Sequence, residues 1–184
     1  MEDSRIIELY WARSERAISE SASKYGGYCR TIAYNILRDM QDAEESVSDT
    51  WLGAWNAMPP HRPNVLSAFL GKITRRISID RWRARSAEKR GGSELTLALT
   101  ELEDCVADTG DVEDEVARGE LEKVFRDFLA DLPDTERRVF LCRYWYLESV
   151  RTISGRFGFS ESKVTSMLRR TRLKLRARLT KEGF

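Results

Sequence analysis

One histidine, three cysteines and the lack of any long apolar run are the conspicuous shortages in this 184-residue chain, and each closes off a class of function. No stretch approaches the roughly 18 consecutive apolar residues that a membrane span needs. The opening MEDSRIIELYWARSE is charged from its second residue, unlike a secretory signal. A cytoplasmic location is expected. Cys29, Cys105 and Cys142 are odd in number, far apart and outside any C-x-x-C arrangement with a histidine, so neither a disulfide framework nor a zinc site is expected. Cys29 and Cys142 read as reduced, small apolar fillers. His61 lies in PPHRP, where the prolines on either side predict a loop, and nothing nearby offers it a catalytic or metal-binding partner. It reads as a surface or loop-packing side chain, and no cofactor is expected.

Net charge is scarce as well: 31 Lys plus Arg stand against 30 Asp plus Glu. The average conceals a strong segregation. Residues 91–120 hold ten acidic residues and one basic one, Arg118, a net of about −9. From Lys72 to Arg90 there are eight basic residues against Asp80 and Glu88, and from Lys163 to Lys181 eight more with no acid. Two basic segments therefore flank an acidic connector.

Strict alternation of apolar and polar residues, the mark of a half-buried strand, is missing throughout, so an all-α fold is predicted. At roughly 100–200 residues per domain the length allows one domain or two small ones. Gly91 and Gly92 open the connector and mark a boundary. The reading is two small helical domains, 1–90 and 116–184, joined by an acidic linker over 91–115 that is extended or partly disordered. In the first domain, apolar spacings of three and four predict one or two helices over 5–38. A third helix begins near Asp42, presents Val47, Trp51, Ala54, Trp55 and Met58 on one face, and stops at Pro59 and Pro60. A fourth runs from about Val65 into the arginine cluster.

The second domain carries a more specific pattern. Helical spacing continues after Pro133 through Val139, Phe140, Leu141, Tyr144 and Trp145, and Ser149 can cap a short helix holding Ile153 and Phe157. Gly158 can take the left-handed conformation that ends that helix, Phe159 can plug the corner, and Ser160 can cap the next one. This is a helix-turn-helix pattern. The second helix would bury Val164, Leu168, Thr171 and Leu175 and show Glu161, Ser162, Lys163, Thr165, Ser166, Arg169 and Arg170. Short polar side chains near a helix start suit base edges in the major groove, while Arg169, Arg170, Arg172 and Lys174 can neutralise phosphates.

The basic helix around Lys72, Arg75, Arg76, Arg81, Arg83 and Arg85 interleaves Trp82 with its cations. That combination suits single-stranded nucleic acid, because cations track the backbone and a ring stacks on an unpaired base for about 1–3 kcal/mol. The alternative for Trp82 is packing in the domain core. Asp42, Glu44, Glu45 and Asp49 make an acidic face on the third helix. A Mg²⁺ site would need carboxylates converging from a second element, and no second cluster accompanies them, so an enzyme is not expected. A docking surface for a basic or amidic partner fits them better.

Three segments in this order resemble the extracytoplasmic-function group of bacterial RNA polymerase sigma factors. IAYNILRDMQDAEESVSDTWLGAW is similar to the helix pair of the family's second conserved region, LSAFLGKITRRISIDRWRAR to its promoter-melting helix, and LPDTERRVFLCRYWYLESVRTISGRFGFSESKVTSMLRRTRLKLRARL to its fourth region. The resemblance implies a non-catalytic transcription initiation factor that binds core RNA polymerase and promoter DNA, with an anti-sigma factor as a further candidate partner. Asp42, Glu44, Glu45, Asp49, Trp51 and Trp55 would dock on polymerase. Lys72, Arg75, Arg76, Arg81, Trp82, Arg83 and Arg85 would hold the melted strand of the proximal promoter element. Glu161, Ser162, Lys163, Thr165, Ser166, Arg169, Arg170 and Arg172 would read the distal element as duplex, with Arg151 adding a phosphate contact. The acidic linker would thread toward the polymerase active-site channel. Two rivals remain open from the residues alone: a dimeric helix-turn-helix repressor or activator not bound to polymerase, and a metal-dependent nucleic-acid enzyme using the Asp42–Asp49 carboxylates.

Overall fold

The computed structural model describes residues 1–86, 94–103 and 115–183, and every regular element among them is a helix. The expected all-α class is the one found. The chain divides into two compact units, Met1–Gly91 and Gly92–Phe184.

The first unit contains α1 (Asp3–Trp11), α2 (Arg16–Leu37), α3 (Met40–Ala57) and α4 (Leu66–Ser86). Local chemistry sets the break between α2 and α3. Arg38 takes a left-handed φ of 55° that ends α2, and the Asp39 side chain then accepts a hydrogen bond from the Asp42 amide, capping α3. The long α2 packs on both α3 and α4 and receives α1. Its Cys29 and Ala33 meet Ile6 and Tyr10 of α1, Ala43, Val47, Trp51 and Ala54 of α3, and Leu66, Leu70 and Ile73 of α4 in one apolar core.

Small and polar residues, rather than bulky apolar ones, line part of the contact between α3 and α4. The Thr50 and Thr74 hydroxyls lie 3.0 Å apart, and Ser46 and Ser78 are fully buried beside them. A Cβ on Gly53 would sit 3.0 Å from Ile73 Cγ2, so the helices approach closely there. On α4 the stripe Leu70, Thr74, Ser78, Arg81, Arg85 recurs at spacings of four and three, one face of a helix. The face that meets α3 therefore carries Arg81 and Arg85 out along it.

The second unit contains α5 (Glu94–Glu103), α6 (Glu115–Asp131), α7 (Asp134–Tyr144), α8 (Val150–Phe157) and α9 (Glu161–Lys181). The last helix touches α6, α7 and α8, and α5 packs on α7. Val164, Leu168, Leu175 and Leu179 of α9 are buried, as are Phe128, Leu132, Val139, Phe140, Tyr144, Leu147 and Ile153.

The connector departs from the extended linker expected over 91–115. Residues 94–103 form α5, with Leu95 and Ala98, three apart, each only 1% exposed. An apolar pair at helical spacing found a surface to cover, and the acidic character of the segment did not prevent it, because its Glu101 meets cations there. Cys105 and the remainder of the connector, 104–114, lie outside the described residues, as do Lys89 and Arg90. Cys29 and Cys142 are buried free thiols whose pKa values burial pushes up, in keeping with a filler role. His61 is an exposed loop residue stacked on Phe69, ring centroids 5.2 Å apart.

Candidate nucleic-acid interface

In the second unit, α8 and α9 are joined through Gly158, Phe159 and Ser160. Ser149 caps α8 by accepting from the Thr152 amide, and Gly158 ends it at φ 67° with its amide bonded to the Ser154 carbonyl. Ser160 Oγ accepts from the Lys163 amide at 3.2 Å and so starts α9. Phe159 is half-buried in the corner, stacked on Phe157, with the Lys163 ammonium 3.8 Å above its ring.

The α9 helix divides cleanly into two faces. Val164, Met167, Leu168, Thr171 and Leu175 are buried, whereas Glu161, Ser162, Lys163, Thr165, Ser166, Arg169 and Arg170 are exposed. Arg151, Arg169 and Arg170 make no ion pair among the described residues, so their charge is available to an anion. Arg172 is different. Its Nη1 donates to the Tyr144 hydroxyl at 2.7 Å and to Glu101 Oε2 at 3.3 Å, which turns it toward α5 and α7 and away from the displayed face. Lys174 pairs with Glu136 at 2.7 Å.

Glu101 is the centre of that arrangement and was missed as a functional residue. It receives Arg143 Nη2 at 3.0 Å, the Tyr144 hydroxyl at 2.8 Å and Arg172. Burial pushes its carboxyl pKa up, but the hydrogen bonds from Arg143 and Tyr144 and the charges of Arg143 and Arg172 outweigh burial, leaving it below the ordinary value. Leu95 and Ala98 gave the signal for a helix here; the density of acids drew attention from it.

In the first unit the two groups of predicted site residues come together. Arg81 on α4 donates to Glu45, reaches Asp49 Oδ2 at 2.9 Å and lies 3.9 Å from Asp42, while Arg85 pairs with Asp42. Glu44 faces Arg30 of α2 at 3.8 Å. The acidic face is thus threaded with arginines. Arg76 and Arg83 are exposed and unpaired among the described residues, Trp82 is half-buried, and Arg75 is half-buried with its guanidinium pKa pushed down by burial. Lys72 and Arg76 border a groove of about 290 Å³ with Gly53, Ala57, His61, Phe69 and Ile73.

Of the two tryptophans on α3, Trp51 is a core residue, 8% exposed. Trp55 is half-buried, edge-on to Tyr10, with the Arg13 guanidinium 5.3 Å from its ring centroid. Both line an open groove of about 670 Å³ with Glu15, Ile18, Ser19, Ser48 and Leu52. Leu52 is 58% exposed, an apolar side chain off the core face of α3 that the sequence reading passed over.

Comparison with known proteins gives two family matches. Residues 22–88 match the family described as Sigma-70 region 2, and residues 61–181 match the one described as ECF sigma factor. No curated protein matches this sequence. Among solved structures, one described as CnrH in complex with the cytosolic domain of CnrY is similar at 20% identity and a TM-score of 0.44, covering 98% of this chain and 99% of that one.

Proposed function

The chain belongs to the ECF sigma factor family, initiation factors of RNA polymerase, and from that premise we propose how its residues divide the work. The exposed start of α9 enters the major groove of the distal promoter element. Ser162, Thr165 and Ser166 meet base edges there, Glu161 can accept from a cytosine amino group, and Lys163, Arg169, Arg170 and Arg151 contact phosphates. The half of α4 carrying Lys72, Arg76, Arg81, Trp82, Arg83 and Arg85 holds the melted strand of the proximal element, with its cations along the backbone and Trp82 against an unstacked base. The α3 carboxylates and the groove beside Trp55 and Leu52 dock on core polymerase. An anti-sigma protein fits the same reading as a partner that covers one of these faces.

Bond formation belongs to the polymerase, and this chain acts by differential binding. Docking and duplex contacts fix the register; preferential binding of the open strand then shifts the equilibrium toward melted DNA.

The observation that supports this most is the division of α9, whose apolar stripe is buried while short polar and cationic side chains at its start are all exposed. Any surface helix exposes a polar face; this one begins behind the Ser160 cap with short side chains and carries Arg169 and Arg170 with no ion pair among the described residues. The test is reconstitution: core polymerase, promoter-containing DNA and this chain yield specific transcripts, and omission of either protein abolishes them. A chain that neither associates with core polymerase nor supports transcripts overturns the reading.

A further inference from the structure

Lys163 stands in the first turn of α9, three residues after the Ser160 cap, where the helix dipole disfavours a positive charge. No carboxylate on its own helix face offsets that: the positions three and four residues away are Phe159, Ser160, Ser166 and Met167. Its partner is a ring instead, the ammonium lying 3.8 Å from the Phe159 ring centroid. Both ends of this contact are pinned. The Phe159 amide donates to the Ser154 carbonyl at 3.0 Å, just past the left-handed turn at Gly158, and its ring stacks on Phe157 with centroids 6.0 Å apart. The Lys163 amide donates to Ser160 Oγ at 3.2 Å.

A ring holds a cation differently from a carboxylate. Glu136, 2.7 Å from Lys174, occupies a donor of that lysine and cancels its charge. An aromatic face attracts an ammonium through its quadrupole and leaves the full charge, and the donors turned away from the ring, for an oxygen. We infer that Phe159 is a positioning residue for the duplex contact: backed by Phe157, it seats the Lys163 ammonium in the free chain, so that a phosphate beside the start of α9 meets a cation already in place and still charged. A free lysine must give up the rotamer freedom of a long stem on binding, and a seated one has lost much of it beforehand. Phe157 carries Arg138 in the same manner, 5.4 Å from its centroid, but Arg138 also faces Asp134 at 3.8 Å, so Lys163 is the cation whose charge is left whole. The inference rests on the functional reading of α9 above and adds to it a residue that acts through Lys163.

The effect is read with the full chain and a mixed-sequence duplex DNA oligonucleotide, by fluorescence anisotropy across a salt series. Phe159→Leu, which still fills the corner but has no aromatic face, is expected to weaken binding about two- to fivefold with the salt slope unchanged, because Lys163 still reaches its phosphate once bound. Lys163→Gln is expected to flatten the slope by about 0.9. With Lys163→Gln already in place, Phe159→Leu should cost nothing further, and Phe159→Tyr, which keeps the face, should bind as wild type does. A second measurement needs neither DNA nor a variant that folds: in NMR spectra of the free wild-type chain the ring should shift the Lys163 ε-methylene protons upfield. A loss from Phe159→Leu that persists in the Lys163→Gln background overturns the inference, because a merely structural corner residue would behave so. Phe159→Tyr binding no better than Phe159→Leu overturns it too, as do unshifted ε protons in wild type. A failure of the functional reading is seen separately, as no duplex affinity in the wild-type chain, and the inference then falls with it; unshifted protons beside intact duplex binding overturn the inference alone.

Discussion

Arg81 on α4 reaches Asp49 on α3, with Nη2 2.9 Å from Oδ2, and the same guanidinium also serves Glu45. Two side chains that resemblance assigns to different macromolecules are thus bonded to each other. The near-cancellation of charge over the whole chain is repeated locally on this pair of helices. The duplex face of α9 is free of that restraint, since Arg169 and Arg170 make no ion pair among the described residues. On α9 these two arginines stand without a counterion, whereas on α4 Arg81 and Arg85 are held by the α3 carboxylates.

Arg169→Ala and Arg170→Ala should each weaken duplex binding at all sequences and flatten the salt dependence of log K by about 0.9. Thr165→Ala or Ser166→Ala should instead leave the salt slope unchanged and relax preference at one base pair by about 1–3 kcal/mol. A salt series on two duplexes, one promoter and one scrambled, separates the two classes.

Trp82→Ala should reduce open-complex formation more than closed-complex binding, by up to about 1–3 kcal/mol, because a ring can stack only on a base that has left the duplex. Permanganate reactivity of the melted strand reads the first, and protection of the closed complex at low temperature the second. Equal losses in both would mean that the half-buried ring only supports the fold.

Glu101→Gln should destabilise the second unit by about 2 kcal/mol at neutral pH, since it removes the carboxylate facing Arg143, whose side chain is only 2% exposed. The Glu101 pKa is lowered in the fold from 4.5, despite burial acting the other way. A lowered carboxyl pKa stabilises above the unfolded value, and that contribution is lost as pH falls through the folded one. Thermal melts should therefore show wild type losing stability below about pH 4.5 and the variant losing less over the same range. The same substitution should free Arg172 from one of its two restraints.

Of three glycines, one should stabilise on replacement by alanine and two should destabilise. Gly27 lies inside α2 with nothing within 4 Å of where a Cβ would stand, so Gly27→Ala should stabilise by about 1 kcal/mol. At Gly53 the added carbon meets buried Ile73 at 3.0 Å, and Gly53→Ala should cost about 1–2 kcal/mol by forcing α3 from α4. Gly158→Ala has space but not backbone freedom at φ 67°, and should cost about 1–2 kcal/mol. Denaturant midpoints for the three variants check all of these.

Most helices outside the connector, the caps of α8 and α9 and the two faces of α9 were legible in the sequence because each depends on local chemistry: Ser149 and Ser160 at helix starts, Gly158 at an end, apolar residues every three or four positions; α5 and the Asp39 cap of α3 were not. What could not be read is which charged side chains find each other. Arg81 and Asp49 are 32 residues apart, and only the close, small-residue contact through Thr50 and Thr74 brings them into reach. Likewise Arg172 looked like one more cation on a basic helix until α5 supplied Glu101. Trp51 and Trp55 lie four apart on one helix and both border the same groove, yet Trp51 is 8% exposed in the core while Trp55 is half-buried against Tyr10 and Arg13, a difference set by residues distant in sequence.

The most direct test of the account is transcription by core polymerase from a pool of random genomic fragments, with RNA 5′ ends mapped with and without this chain. The account predicts ends clustered downstream of one shared bipartite element, with the preferred bases of its distal part shifted by Thr165→Ala or Ser166→Ala. Ends scattered alike in the presence and absence of the chain would contradict it.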